Sequence, residues 1–101
     1  MIEMIREATK TVIRPLGDVV ASSAPEIRST MRGALERGVQ DLEVDLAHVQ
    51  MVDSVGIGLL IAAHNSLSKV GGKLAVVHAS KDLLELFHMM NIHRHFQVSG
   101  N

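Results

Sequence analysis

Apolar and polar residues alternate with a period of two in several short stretches of this chain, a pattern typical of strands. Residues 2–6 and 11–16 predict two strands, and Pro15 fits a strand end or a sheet edge because proline has no N–H to donate. Residues 41–46 alternate acidic with apolar side chains, which predicts a strand with one face in water. The continuous apolar run over residues 74–77 predicts a strand covered on both faces.

Helical spacing appears between these strands. Ser23 and Glu26 have the spacing of a capping box, with a proline between them, and predict the start of a first helix. A second, unusually apolar helix is predicted over residues 55–70, where a pair of glycines ends it. Ser80 is the expected N-cap of a third helix. The apolar residues expected on one side of that helix are Leu83, Leu84, Leu86, Phe87 and Met90.

Strands and helices therefore alternate along most of the chain, which ends with a short strand predicted over residues 96–98. This order predicts an α/β fold in which several parallel strands are joined by right-handed crossovers. A length of 101 residues suits one domain and is too short for two of typical size. Because no repeat or linker interrupts the pattern, we expect a single domain.

The composition narrows the possible chemistry. The chain has no cysteine, which removes disulfides, thiolate metal ligands and cysteine nucleophiles. Aromatic residues make up 2%, too few for a base-stacking platform, and the net charge of −1 gives no basic footprint for nucleic acid. Acidic residues near the N-terminus argue against a signal peptide, and no apolar run approaches the roughly 20 residues of a membrane span. We therefore expect a cytoplasmic protein without nucleic-acid or membrane partners.

The junction before the apolar helix, Asp53-Ser54-Val55-Gly56, is the most informative segment. Ser54 could be a plain helix cap, with the nearby glycines relieving crowding against the sheet. It could instead be a regulatory hydroxyl whose phosphate would lie at a helix N-terminus, where an anion is favoured. Gly56 and Gly58 each cost about 1 kcal/mol inside a helix, which fits the close approach of a large partner to the backbone near Ser54.

Several segments in a fixed order resemble a known family. They are LGDV at residues 16–19, VDLAHVQMVDSVGIGLL at 44–60, the GGK turn at 71–73, LAVVHAS at 74–80 and LLELFHMMNI at 83–92. Together they resemble the STAS domain family, and within it the bacterial anti-sigma-factor antagonists, over roughly residues 10–98. The resemblance implies one domain over residues 1–101, with a mixed β-sheet, helices packed mainly on one face and the N-terminal strands at an edge.

The resemblance also implies a switch that has no catalytic activity or cofactor of its own. An anti-sigma factor with serine kinase activity, of the GHKL type, would bind the chain and phosphorylate Ser54 with the kinase's own nucleotide. The unphosphorylated chain would sequester the kinase, and a metal-dependent serine phosphatase would reset the cycle. The residues expected to contact the partner are Asp18, Val20, Ser22, Ser23, Asp53, Val55 and Gly56.

Two positions depart from the usual family pattern. Val20 stands where many members have an acid, and Val55 is bulkier than the small residue that often follows the serine. A second hypothesis therefore stays open. The chain would be a constitutive subunit of a larger assembly, such as a stress-sensing scaffold or a lipid-transport complex, without a phospho-switch.

Other groupings of residues indicate less. His88, His93 and His95 lie close together but lack an acid or cysteine at a ligand spacing, so a mildly pH-sensitive surface is predicted rather than a metal site. Met89 and Met90 are predicted to fill the core.

A hydrolase and a phosphate loop are both disfavoured. Ser54, His48 and Asp53 lack the G-x-S-x-G elbow of the α/β-hydrolases. The GGK turn at residues 71–73 follows a helix and lacks the spacing of a phosphate-binding loop.

Overall fold

The order of the strands across the sheet is the same as their order along the chain. A computed structural model describes residues 1–101. The strands are β1 (Ile2–Arg6), β2 (Thr11–Pro15), β3 (Asp41–Asp45), β4 (Lys73–Ala79) and β5 (Gln97–Gly100). β1 pairs antiparallel with β2 at one edge, and every other neighbouring pair is parallel. The predicted mixed sheet is confirmed, as is the expected edge position of the N-terminal strand.

Three helices fill the parallel crossovers: α1 (Ala24–Glu36), α2 (Ser54–Ser68) and α3 (Lys81–Met89), the last followed by a short 3-10 helix at Ile92–Arg94. Right-handed crossovers that advance in one direction place all their helices on one face of the sheet. The strand residues on that face are almost fully buried and form the centre of an aliphatic core, as at Ile13, Val44 and Val76. The predicted α/β class and one-sided helix layer are confirmed.

The opposite face of the sheet is more open than the apolar run in β4 predicts. Leu74 and Val76 are buried, whereas Ala75 and Val77, which point the other way, are only partly covered. The prediction of a strand covered on both faces is therefore wrong. It failed because no helix packs on the second face, so small and β-branched residues remain there without a covering layer.

Asp45, on the same open face, is 4% exposed although the alternation in β3 predicts it in water. Its carboxylate accepts hydrogen bonds of 2.9 Å from the Nε of Arg14 and from the N–H of Ala47. Burial by itself would raise the pKa of Asp45, but these two hydrogen bonds outweigh it and hold the pKa below its usual value. The long Arg14 side chain thus covers the acid that the sequence pattern places in solvent.

Several element ends differ from the predictions by one or two residues, and one apolar assignment is wrong. Met89 and Met90 are 80% and 47% exposed, so neither fills the core. α3 ends at Met89, and Asn91 adopts a left-handed conformation with φ of 57°, so the chain leaves the helix at this pair of methionines. The glycine stop of α2 is confirmed, since Gly71 has φ of 74° and the next N–H bonds back into the helix.

Candidate functional site at the start of helix α2

Two loops meet beyond the carboxyl ends of β2 and β3. Residues 16–23 lead into α1, and residues 46–53 lead into α2. Val19 and Val52 form an isolated parallel bridge between these loops, and both are buried. The N–H of Val19 donates to the Met51 carbonyl at 3.0 Å. The hydrogen bonding of the sheet therefore continues into the loops that surround Ser54.

Asp53, not Ser54, caps α2. Its Oδ1 accepts from the N–H of Gly56 at 2.9 Å, and its Oδ2 accepts from the N–H of Ala21 in the other loop at 3.0 Å. The Gly56 and Ala21 N–H groups together hold the pKa of Asp53 below its usual value. Aspartate is a preferred N-cap residue, so the sequence carried this signal beside that of the neighbouring serine. The interpretation of Ser54 as the cap is wrong.

Asp18 makes the reciprocal connection between the loops. Its Oδ1 accepts from the N–H groups of Gln50 and Met51, both at 3.0 Å. One carboxylate therefore reaches from the first loop to the second, and Asp53 reaches from the second to the first. We call this pair the carboxylate brace. It satisfies backbone donors that the sheet and helix leave unpaired.

Ser54 is the first residue of α2 and is exposed, and its hydroxyl makes no hydrogen bond. The N–H groups of Ser54 and Val55 begin the helix, so no carbonyl four residues earlier accepts from them. Val55 and Met51 are 39% and 58% exposed and give the surroundings of the serine an apolar rim. The arrangement presents a free hydroxyl at a helix end that favours negative charge.

Gly56 is buried and faces inward, which corrects its expected role as a position for partner approach. A β-carbon there would overlap the carbonyl oxygen of Val19 and lie 2.8 Å from Cγ1 of Val52. The close approach that this glycine permits is therefore between α2 and the chain's own loop. Gly58 differs, because it is exposed and a β-carbon there would meet nothing within 4 Å.

Ser23 precedes α1 as predicted, but its hydroxyl does not cap the helix. It donates to the Asp18 carbonyl at 2.7 Å and accepts from the N–H of Val20 at 3.1 Å, so no capping box forms with Glu26. Val20 is half-buried and Ser22 is exposed. Both lie with Asp18 on the loop beside Ser54, and their contact with a partner stays a prediction.

The remaining candidate groupings are not assembled. His48 is exposed and makes no hydrogen bond to Ser54 or Asp53, and both oxygens of Asp53 accept from backbone N–H groups. The rings of His88 and His93 stack with centroids 4.2 Å apart. The structure brings together no group of three or more histidine or acidic side chains that could hold a metal ion.

The fold and the site define a class: a five-stranded α/β domain that presents one exposed serine at a helix start between two braced loops. The chain belongs to the STAS domain family, whose model matches residues 2–101. No helix has the length and apolar character needed to cross a bilayer.

Several relatives are anti-sigma-factor antagonists. The chain is 29% identical over 84 residues to an anti-sigma-B factor antagonist of Bacillus subtilis, covering 83% of this chain and 76% of the relative. A solved anti-sigma factor antagonist of Mycobacterium paratuberculosis matches with a TM-score of 0.89 at 20% identity, covering 100% of this chain and 86% of the other. SpoIIAA, a Bacillus cell fate determinant solved in its phosphorylated form, matches with a TM-score of 0.76 at 18% identity, covering 97% and 90%.

Proposed function

We propose that this chain is an anti-sigma-factor antagonist in a partner-switching pathway. In its unphosphorylated form it binds and sequesters an anti-sigma factor with serine kinase activity, of the GHKL type, and phosphorylation on Ser54 releases that kinase. The observation that carries the proposal is the exposed, hydrogen-bond-free hydroxyl of Ser54 at the start of α2. The names of the relatives and the phosphorylated state of SpoIIAA support it.

The local chemistry suits a phosphoacceptor. The Ser54 oxygen would attack the γ-phosphorus of the kinase's ATP, a base of the kinase would take the hydroxyl proton, and ADP would leave. Because the hydroxyl has no hydrogen bond to break, the chain needs no rearrangement to present it. The resulting phosphate would lie beside the first N–H groups of α2 and the positive end of the helix dipole.

The same phosphate would oppose docking. A partner that covers the apolar rim formed by Met51 and Val55 must desolvate whatever Ser54 carries. A neutral hydroxyl costs little to bury, whereas a group with about −1.5 to −2 charge costs several kcal/mol unless it finds a cationic partner. One modification can therefore separate a bound state from a released state while the fold is unchanged.

In this proposal the chain is substrate and switch in the cytoplasm, not an enzyme. The nucleotide and its metal belong to the kinase, and a metal-dependent serine phosphatase restores the hydroxyl. Asp18, Val20, Ser22 and Ser23 form the near side of the docking surface, since their loop lies against Asp53 through the carboxylate brace.

The test uses a purified anti-sigma factor with GHKL-type serine kinase activity. Intact mass after incubation with ATP should show one added phosphate, which Ser54→Ala abolishes and Ser68→Ala retains. Ser54→Asp should weaken kinase binding at least tenfold in a titration. Ser68→Asp, which adds the same charge at the exposed far end of α2, is the matched control and should bind like wild type.

Two results would contradict the proposal. A phosphate that persists in Ser54→Ala would move the acceptor elsewhere. Stable binding that is indifferent to Ser54→Asp would instead favour a constitutive subunit of a larger assembly.

A further inference from the structure

A second surface feature begins one turn beyond Ser54. α1 and α2 pack side by side and leave a groove between them with a volume of about 300 Å³. Its floor is apolar, with Met31 and Leu59 buried beneath it. We call it the α1–α2 groove and define it by Arg28, Met31, Arg32, Leu59, Ala62 and Ser66.

The charge of the groove is uncompensated. Arg28 and Arg32 lie one turn apart on α1, both are exposed, and neither takes part in an ion pair. No acidic side chain lines the groove. On the sheet, by contrast, Arg14 and Lys10 are each held by carboxylates. The two groove arginines thus have charge and hydrogen-bonding capacity available to a partner.

The groove is also continuous with the serine site. Ser54, Gly58, Ala62 and Ser66 follow one another at four-residue intervals, so they share one side of α2 over about 18 Å. Ala62 and Ser66 form the α2 wall of the groove, and their small side chains leave it accessible. A segment lying in the groove and extending along α2 therefore reaches Ser54.

We propose that the α1–α2 groove binds an acidic amphipathic helix of the kinase, an inference that rests on the proposed function. The apolar side of that helix packs on the exposed Ala62 and the half-buried Leu35, above the floor of Met31 and Leu59. Its carboxylates pair with Arg28 and Arg32. Helix pairs pack at 8–10 Å between axes, and the small residues on α2 allow this approach. A phosphate on Ser54 adds negative charge at the end of the same path, so it repels the segment that the arginines attract.

The experiment compares two double variants with the same change in net charge. Arg28→Glu with Arg32→Glu reverses the groove, and Arg37→Glu with Lys81→Glu reverses two exposed cations elsewhere. Kinase affinity is measured for both, for wild type and for Ser54→Asp, at low and high salt. The groove variant should bind at least tenfold more weakly and lose much of the salt dependence, while the control stays within about twofold of wild type.

Ala62→Trp fills the groove without changing charge and should also weaken binding, and thermal melting of every variant checks its folding. If Ser54→Asp weakens binding but neither groove variant does, the groove inference is overturned and the proposed function stands. If wild type does not bind the kinase, both fall.

Phosphatidylglycerol vesicles test an anionic lipid as the alternative occupant. Vesicle binding that the groove charge reversal abolishes, with kinase affinity unchanged, would replace the proposed helix by a membrane surface. Absence of vesicle binding, together with the loss of kinase affinity, supports the helix.

Discussion

The carbonyl oxygen of Val19 packs directly against Gly56, so the backbone of the first turn of α2 is in contact with the backbone of the loop before α1. Val52 closes the same contact from the side, with its Cγ1 2.8 Å from the place of a β-carbon on Gly56. This contact and the carboxylate brace together fix the position of Ser54 relative to the loop before α1.

A pair of glycine variants tests this contact. Gly56→Ala must displace backbone, so we expect it to lower the free energy of unfolding by about 1–3 kcal/mol. Gly58→Ala enters open space and should raise that free energy by up to about 1 kcal/mol, because alanine favours a helix. Urea unfolding of both variants measures the difference. Equal free energies of unfolding for the two variants would mean that the loop before α1 moves aside for a β-carbon at Gly56 at no cost.

The carboxylate brace should be visible in individual amides. Asp53→Ala removes the cap of α2 and the acceptor of the Ala21 N–H, and we expect the Tm to fall by about 5 °C. Hydrogen exchange should speed up at Ala21 and Gly56 in this variant, and at Gln50 and Met51 in Asp18→Ala. Uniform acceleration in both variants would indicate global loosening and would refute separate roles for the two acids.

Two depressed carboxyl pKa values affect how the stability of the fold changes at acidic pH. Asp45 and Asp53 hold their protons less tightly in the folded chain than in the unfolded chain. Their stabilisation is therefore complete above the unfolded value of about 4 and is lost as pH falls through the folded values. Urea midpoints measured from pH 7 to pH 2 should fall in wild type and fall less steeply in Asp45→Asn.

A negative charge should affect stability differently at the two ends of α2. Ser54→Asp places an anion at the N-terminus and should leave the Tm within about 2 °C of wild type, whereas Ser68→Asp at the other end should lower it slightly. Calorimetry of the two variants measures both Tm values and tests this prediction. Loss of folding in Ser54→Asp would remove this variant as a phosphate mimic and contradict the tolerance of the site for charge.

The histidine cluster should not respond to metal chelation. His88 and His93 stack on each other, and no third ligand joins them. EDTA should therefore leave the Tm of the wild-type chain unchanged. It should likewise leave the Tm of the His88→Ala variant unchanged. A chelator-dependent fall of several degrees would show that the stacked pair recruits ligands after all.

The periodicity of apolar residues was sufficient to predict the strands and helices. The reason is that a strand or helix with one buried side repeats its apolar residues at a fixed local spacing. The alternation in residues 41–46 and the apolar helix beginning near Ser54 both appear in the structure within one or two residues of their predicted ends. The Gly-Gly stop was equally local. Strand alternation, helical spacing and a glycine stop depend only on residues that are close together in the sequence.

The geometry of the site could not be predicted in the same way. Asp18 and Asp53 each bond to backbone N–H groups more than 30 residues away, and no local spacing encodes such a partner. The same limit explains Asp45, which Arg14 from another strand covers. Ser23 differs, because its hydroxyl bonds to the Asp18 carbonyl only five residues away, a local alternative to the capping box. Side chains that bridge separate segments depend on the assembled fold.

The bridge between Val19 and Val52 has a consequence for timing. Because it joins the two loops that surround Ser54, the backbone there is hydrogen-bonded in the folded chain, and we expect docking to add little further loss of loop entropy. In the switch that we propose, the phosphorylated and unphosphorylated chains would share one backbone. Such a switch would wait only for molecular encounters and phosphate chemistry, with no slow conformational step between them.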